Sequence, residues 1–198
     1  MMNNPNTKLS DLIHVVNGII PSNICEDVIE EIERRDWSPH QWYNPTSDSS
    51  FSKPKKELDI QHITPELQEI LTPFIIESGR EYNNKYAYQH PSCYINTRSI
   101  MDNFCQIRFN RYSGDQIMHQ HIDHIYSLFD GQNKGIPVLS FVLNFNDDYE
   151  GADLFFWEDT VVKLGKGDIA MFPSCFLFPH GVTEAINGIR YSGVCWGW

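Results

Sequence analysis

Cysteine is sparse in this 198-residue chain. The five residues, Cys25, Cys93, Cys105, Cys175 and Cys195, are odd in number, widely spaced and free of any Cys-x-x-Cys pair. That pattern argues against a disulfide framework or a cysteine-built zinc knot and leaves buried thiols as the expected use. Positive charge is scarce too: 15 Lys and Arg face 26 Asp and Glu, for a net charge of −11. A broad phosphate-binding face needs a field of Lys and Arg, so nucleic acid is a poor partner. No run approaches the length of a membrane span, and Met-Met-Asn-Asn-Pro-Asn-Thr-Lys at the start lacks the apolar stretch of a signal peptide. The expectation is a cytoplasmic protein that does not contact membranes.

What is present suits one globular domain over residues 1–198. Hydrophobic residues make up 41% and charged residues 21%, which allows a sizeable core and disfavours wholesale disorder. Residues 12–16 and 18–20 read as a short strand with a turn. A helix is expected from Pro21-Ser22-Asn23, with Ser22 as cap and Ile24, Val28 and Ile32 on the buried face. Thr64-Pro65 opens a second helix whose stripe is Leu67, Ile70, Leu71, Phe74 and Ile75, and Pro73 should kink or split it. Residues 1–104, in which 58–63 alternates like a further strand, thus form a helical support region. Beyond them, short runs rich in Val, Ile, Phe and Tyr predict antiparallel strands near 105–111, 118–123, 138–144, 153–157, 160–163, 168–172, 180–183 and 190–196. Eight such strands separated by Gly, Asn and Asp clusters point to a double-sheet jelly roll or a closed barrel.

Two segments carry chemistry. In a strand, His121 and Asp123 of His121-Ile122-Asp123 would project from the same face and could share one ion. A third ligand must come from elsewhere, and His180 is the sole histidine after residue 124. Two imidazoles and a carboxylate leave open positions on ferrous iron, as oxygenases require. Arg190, in the apolar run Gly188-Ile189-Arg190-Tyr191-Ser192, needs an anion. That anion is either a bound carboxylate or an internal Asp or Glu. His119 shares strand parity with His121 but is read as solvent-side, a ligand swap being the alternative; His124 is read as a loop residue.

Together these segments give the chain a specific resemblance. Arg111-Tyr112-Ser113-Gly114, the nine residues from Tyr112 to His121, His121-x-Asp123, Asp148-Tyr149-Glu150-Gly151, Gly165-Lys166-Gly167-Asp168, Pro179-His180-Gly181-Val182 and Gly188-x-Arg190-Tyr191-Ser192 resemble the 2-oxoglutarate and iron(II)-dependent dioxygenases, prolyl 4-hydroxylase-like branch. The resemblance covers about residues 105–198, the catalytic core. It implies an α+β, mainly β fold: a double-stranded β-helix (jelly roll) with the N-terminal helices packed on one sheet. It also implies Fe(II) on His121, Asp123 and His180, with 2-oxoglutarate and O2 as co-substrates and ascorbate as reductant. Arg190 would take the distal carboxylate of 2-oxoglutarate, with Tyr112 and Asn144 beside it. Asn144 stands where the family often has a tyrosine, and Tyr112 could instead be a core residue satisfied locally. The implied activity is hydroxylation of a C–H bond, with a prolyl residue of a peptide or protein as the leading substrate.

Two other readings stay open. An AlkB-like nucleic-acid demethylase shares Asn110-Arg111-Tyr112 and the gap to His121, but no further arginine follows Arg190 and the charge is acidic. A cupin-like or lectin-like jelly-roll binding module would make the cluster coincidental. Phe155, Phe156, Phe172 and Trp196 are candidates for a dry wall around the reaction. A tight Asn187-Gly188 hairpin would put Arg190 about 17 Å along the sheet from His180. A wider loop over 184–189, with Arg190 near Val182, is therefore expected. Loops 38–56 and 125–136 are candidate lids, with Trp42, Tyr43 and Tyr126 as substrate contacts.

Overall fold

The structure, a computed structural model, describes residues 8–44, 49–51, 56–86, 100–101, 103–123 and 136–198. A 3-10 turn (Leu9–Leu12) leads to β1 (His14–Val16) and α1 (Ser22–Glu33). Next come β2 (Ser38–Pro39), β3 (Trp42–Asn44), β4 (Ser49–Phe51), β5 (Asp59–His62) and α2 (Pro65–Tyr86). Then follow β6 (Arg108–Ser113), β7 (Met118–His121), β8 (Leu139–Asn144), β9 (Glu150–Gly151), β10 (Leu154–Phe156) and β11 (Thr160–Val162). The last are β12 (Ile169–Pro173), β13 (His180–Val182), β14 (Ala185–Asn187) and β15 (Ile189–Gly197).

Helix α1 buries Cys25, Val28 and Ile32 on one stripe. Ser22 does not cap it. Pro21, with φ −56° and ψ 143°, occupies the cap position without a side-chain bond, and Ser22 is already helical. In α2 the expected cap forms: the Leu67 N–H donates to Thr64 Oγ1 (3.3 Å). Pro73 neither splits nor ends the helix, which runs unbroken to Tyr86. Pro73 and Glu69, whose carbonyl loses its donor, lie on the exposed side, while Leu71 and Ile75 on either side of the proline are fully buried. Ile70 falls off the buried stripe, which Ser78, Gly79 and Tyr82 complete.

The strands build two main antiparallel sheets, of order β1-β12-β8-β15-β6-β5-β2 and β11-β10-β13-β7. Period-two alternation sorts the large sheet's side chains. Leu139, Phe141 and Leu143 of β8, with Phe109, Ile169, Met171, Tyr191 and Cys195, pack under both helices. The intervening Val142, Ala170 and Phe172 meet Leu154, Phe156 and Phe178 on the other side. This is the expected jelly roll with helices on the outer face of one sheet. Strands β1, β2 and β5 also join the large sheet, so the first half of the chain supplies strands as well as helices. No helix among the described residues is long and apolar enough to cross a membrane.

Five strands were not anticipated: β2, β3 and β4 fall in the segment 38–56 expected as a loop, and β9 and β14 in segments with no expected strand. β9 and β14 pair through Ala185↔Gly151 and Asn187↔Glu150. The segment expected as a wide loop is therefore mostly strand, and Gly188 (φ 74°) redirects the chain into β15. Arg190 faces Tyr112 of β6, not Val182, which pairs with Leu154 and Met118 in the opposite sheet. A glycine is required at 151: its φ is 72°, and a Cβ there would sit 2.1 Å from the Glu184 carbonyl oxygen.

Candidate metal centre

His121 and His180 face each other directly across the β7–β13 ladder, with ring centroids 4.5 Å apart. Asp123 lies beyond the end of β7, which stops at His121. The carboxylate turns in nonetheless: Oδ1 is 3.3 Å from His121 Nε2 and Oδ2 is 3.5 Å from His180 Nε2. One donor atom from each residue falls within 4.8 Å of the other two. Each imidazole uses Nδ1 on a backbone carbonyl, His121 on His119 O (2.8 Å) and His180 on Phe178 O (3.0 Å). With Nδ1 donating, Nε2 presents its lone pair to the cluster, as a metal ligand must.

The protonation states agree. Burial alone would raise the Asp123 carboxyl, but the neighbouring imidazoles of His180 and His121 and the Ser140 hydroxyl outweigh it and hold it far below the usual carboxylate range. Burial lowers His180 against the pull of Asp123, which favours the neutral, ligating imidazole. Ser140 Oγ donates to Asp123 Oδ2 (2.6 Å) and lies 2.8 Å from Ser174 Oγ. Phe156 and Phe172 close the inner side of His180, with centroids 5.7 and 4.6 Å away. Trp196 lines the same cleft, which has about 450 Å³ of open space measured out to solvent. Phe155, also expected in this wall, is on the opposite face of β10, against the Gly181 backbone.

Arg190 is 1% exposed and lines this cleft. Its Nε donates to Asn144 Oδ1 (2.9 Å) and its Nη1 to the Ala152 carbonyl (2.8 Å). Its Nη2 is buried and has no hydrogen-bond partner. No internal Asp or Glu pairs with it among the described residues. Asn144, expected next to the co-substrate, holds this arginine. Its Nδ2 is used by the carbonyls of Asn146 (2.6 Å), Leu164 (3.2 Å) and Gly165 (3.2 Å), and its Oδ1 also accepts from Tyr149 OH (3.3 Å). Ala152 reaches Arg190 through a left-handed backbone (φ 49°), strain that costs on the order of 1–2 kcal/mol. Tyr112 lies under the guanidinium, 5.6 Å from ring centroid to Cζ, and burial pushes its phenol up, so it stays protonated.

His119 is not free to swap. It binds Glu57, a buried carboxylate that also accepts from His40 Nδ1 (3.0 Å) and Trp42 Nε1. Trp42 in turn sets its ring edge-on to His121, centroids 5.5 Å apart. Of the candidate lid contacts, Trp42 is thus at the site, whereas the Tyr43 side chain, Tyr126, His124 and residues 125–135 lie outside the described residues. Glu57 joins the 38–57 segment to the metal strand, so Glu57→Ala should strand three donors and cost about 3–5 kcal/mol, read as a lower denaturant midpoint. Burial opposes ionisation of Glu57, but His40, His119 and Trp42 outweigh it and lower its pKa. The stabilisation is therefore present above the usual glutamate range and lost as pH falls through the depressed folded value. An unchanged midpoint at neutral pH would remove Glu57 as the tie.

Sequence reasoning missed Glu57, Ser140, Ala152 and Arg108. The lone small hydroxyl in the apolar run of β8 was a signal for Ser140. The parity of Arg108 with Asn110 and Tyr112 was one for Arg108. Nothing local marks Glu57.

With this geometry established, comparison with known proteins is specific. Residues 107–198 match the family model described as the 2OG-Fe(II) oxygenase superfamily. Over 95 residues the chain is 38% identical to a PKHD-type hydroxylase of Methylobacillus flagellatus and 34% identical to one of Acinetobacter baumannii. Each match covers 44% of this chain and 40% of the relative, so the chain spans less than half the length of these curated proteins. The fold is similar to that of a Trichoplax adhaerens prolyl hydroxylase solved with a peptide fragment of hypoxia inducible factor (TM-score 0.68, 15% identity, 96% of this chain and 84% of that one). It is also similar to a viral collagen prolyl hydroxylase from Paramecium Bursaria Chlorella virus-1 solved with 2OG (0.64, 15%, 93% and 94%). A Pseudomonas putida prolyl-4-hydroxylase gives 0.63 at 16% identity, over 94% and 91%. The segment similar to the 2OG-Fe(II) oxygenase superfamily, residues 107–198, is the one that carries the His-Asp-His cluster and Arg190.

Proposed function

We propose that this chain, acting as one domain, is an Fe(II)- and 2-oxoglutarate-dependent hydroxylase of a C–H bond in a peptide or protein, with prolyl residues as first choice. The observation that carries the reading is the unpartnered Nη2 of Arg190 in the cleft that holds His121, Asp123 and His180. A buried, unsatisfied guanidinium arm is costly unless an anion meets it, and the fork fits a carboxylate. The donor set suits ferrous iron: two imidazoles, an ionised carboxylate and no thiolate.

Iron held there would supply the redox chemistry, in which O2 and 2-oxoglutarate give succinate and CO2 while the second oxygen atom enters the substrate C–H bond as hydroxyl. The chain's own part is placement and exclusion of water. Arg190 Nη2 would take the distal carboxylate and Tyr112 OH would donate to the co-substrate. Ser140 holds the Asp123 carboxylate in orientation, and Phe156 and Phe172 keep the inner side of His180 dry. Ascorbate would serve to keep the iron ferrous, in a cytoplasmic setting. The choice of proline draws on the names of the relatives and on the shared fold. A net charge of −11 disfavours a nucleic-acid substrate.

The test is succinate release under Fe(II), ascorbate and 2-oxoglutarate with a library of proline-containing peptides, with mass spectrometry for one added oxygen atom. Succinate release with hydroxyproline in the product is the expected result. Succinate without any oxidised peptide would overturn the substrate class, and absence of succinate would overturn the oxygenase.

A further inference from the structure

Arg190 is not the only guanidinium in the cleft. On β6, Arg108, Asn110 and Tyr112 alternate onto the cleft side, and Arg108 lies opposite Val194 of β15 while Tyr112 lies opposite Arg190. Four residues at about 3.3 Å each place the two arginines' strand positions ~13 Å apart along the sheet. Arg108 is half-buried, its Cζ 5.7 Å from the Trp196 ring centroid. Its one side-chain hydrogen bond among the described residues is from Nε to Asn110 Oδ1 (3.2 Å), and none of their carboxylates lies within 4.0 Å of it. Its terminal amino groups are thus uncommitted among these residues.

Charge accounting makes this arrangement informative. Asp123 is the single carboxylate among the residues lining the cleft. A divalent metal and two guanidinium groups would face that carboxylate and the two of 2-oxoglutarate, leaving one positive charge over. A diacid with four C–C bonds of ~1.5 Å, anchored by one end on Arg190, does not cover the interval to Arg108. A charge that loses its water when the cleft fills needs an opposite charge.

We infer that Arg108 receives a carboxylate carried by the substrate itself, close to the carbon that is hydroxylated. The inference rests on the hydroxylase reading and narrows it. The substrate is an anionic one, a peptide with an acidic side chain or a free C-terminus next to the target residue. The fork of Arg108, backed by the Trp196 face, would hold that carboxylate while Arg190 holds the co-substrate.

Binding measured with Mn(II) and N-oxalylglycine, an unreactive 2-oxoglutarate mimic, tests this without turnover. The probes are proline-containing peptides in matched pairs: free C-terminus against amide, and Glu against Gln beside the proline, plus free proline against prolinamide. Wild type should prefer the carboxylate member of one pair by about tenfold or more, the scale of a charge-assisted hydrogen bond. Which pair shows the preference identifies the carboxylate's source. Arg108→Met, which keeps the stem over Trp196, should abolish the preference, and Arg108→Gln, which keeps a donor toward Asn110, should do the same. Affinity for N-oxalylglycine should stay within about twofold in both, which also reports folding. A fall in that affinity would show that Arg108 contacts the co-substrate and overturn the inference. Arg108-dependent binding confined to free proline would sustain the inference while removing the peptide substrate. Absence of Arg108-dependent carboxylate binding in every pair would overturn it outright.

Discussion

Mn(II) added at a hundred times its dissociation constant should raise the thermal midpoint of the wild-type protein by about 5–10 °C, and His180→Ala should abolish the rise. A ligand that binds only the folded chain at that excess contributes about 2.7 kcal/mol, and a domain of this size shifts by about 2–4 °C per kcal/mol. His180 is the informative residue because its loss leaves Asp123 and its Ser140 bond in place and removes one donor atom. The change with metal is the readout, since the mutant's own midpoint will also move. Chelation should return the wild type to its starting value. An equal rise in wild type and mutant would show that metal binds elsewhere.

The second large effect belongs to Arg190. Arg190→Met keeps aliphatic length and removes the guanidinium, so affinity for 2-oxoglutarate should fall at least thirtyfold. A lost charge pair of this kind costs about 2–5 kcal/mol when its partner remains. The Mn(II) response should survive, because none of the three metal-site donors comes from β15. Arg190→Lys should fall between the two. One ammonium cannot replace both ties, to Asn144 and Ala152, and still present a free arm. Calorimetry of 2-oxoglutarate binding to the Mn(II) form is the measurement. Unchanged affinity in Arg190→Met would make Arg190 a core residue and leave the proposal without its main support.

The limits of the sequence follow from what each residue's neighbours are. The convergence of His121, Asp123 and His180 was legible because ligand chemistry restricts residue type and because no other histidine competes after residue 124. The burial of Arg190 in the cleft was legible because an arginine amid Ile, Tyr, Val and Trp has few explanations. The alternating strands and the buried stripe of α1 were legible from period alone. The small sheet of β9 and β14 was not, since two- and three-residue strands leave no periodic trace. The place of Asn144 was not, because the same amide can meet a ligand or orient a neighbour, and the choice depends on carbonyls of Leu164 and Gly165 some twenty residues away. The Asn187-Gly188 pair, rightly not read as a tight hairpin, still gave no guide to pairing for a related reason. A turn signal fixes a local bend, but which strands flank it is settled by distant partners, here β9 on one side and β6 and β8 on the other.

The position of β15 has a consequence for how the molecule is made. This nine-residue strand sits between β8 and β6, which precede it by about fifty and eighty residues, and it pairs with both along most of its length. A ribosome delivers its neighbours first, and until β15 emerges the large sheet has a gap where its central strand belongs. Pairings of such long sequence separation form slowly, on the millisecond-to-second scale of β-rich domains, because chain entropy is lost before contacts compensate. The nascent chain therefore carries His121, Asp123 and His180 before it carries Arg190. The His-Asp-His cluster without its neighbouring guanidinium would exist only during synthesis, and insertion of one strand would close the sheet and complete the cleft in the same event.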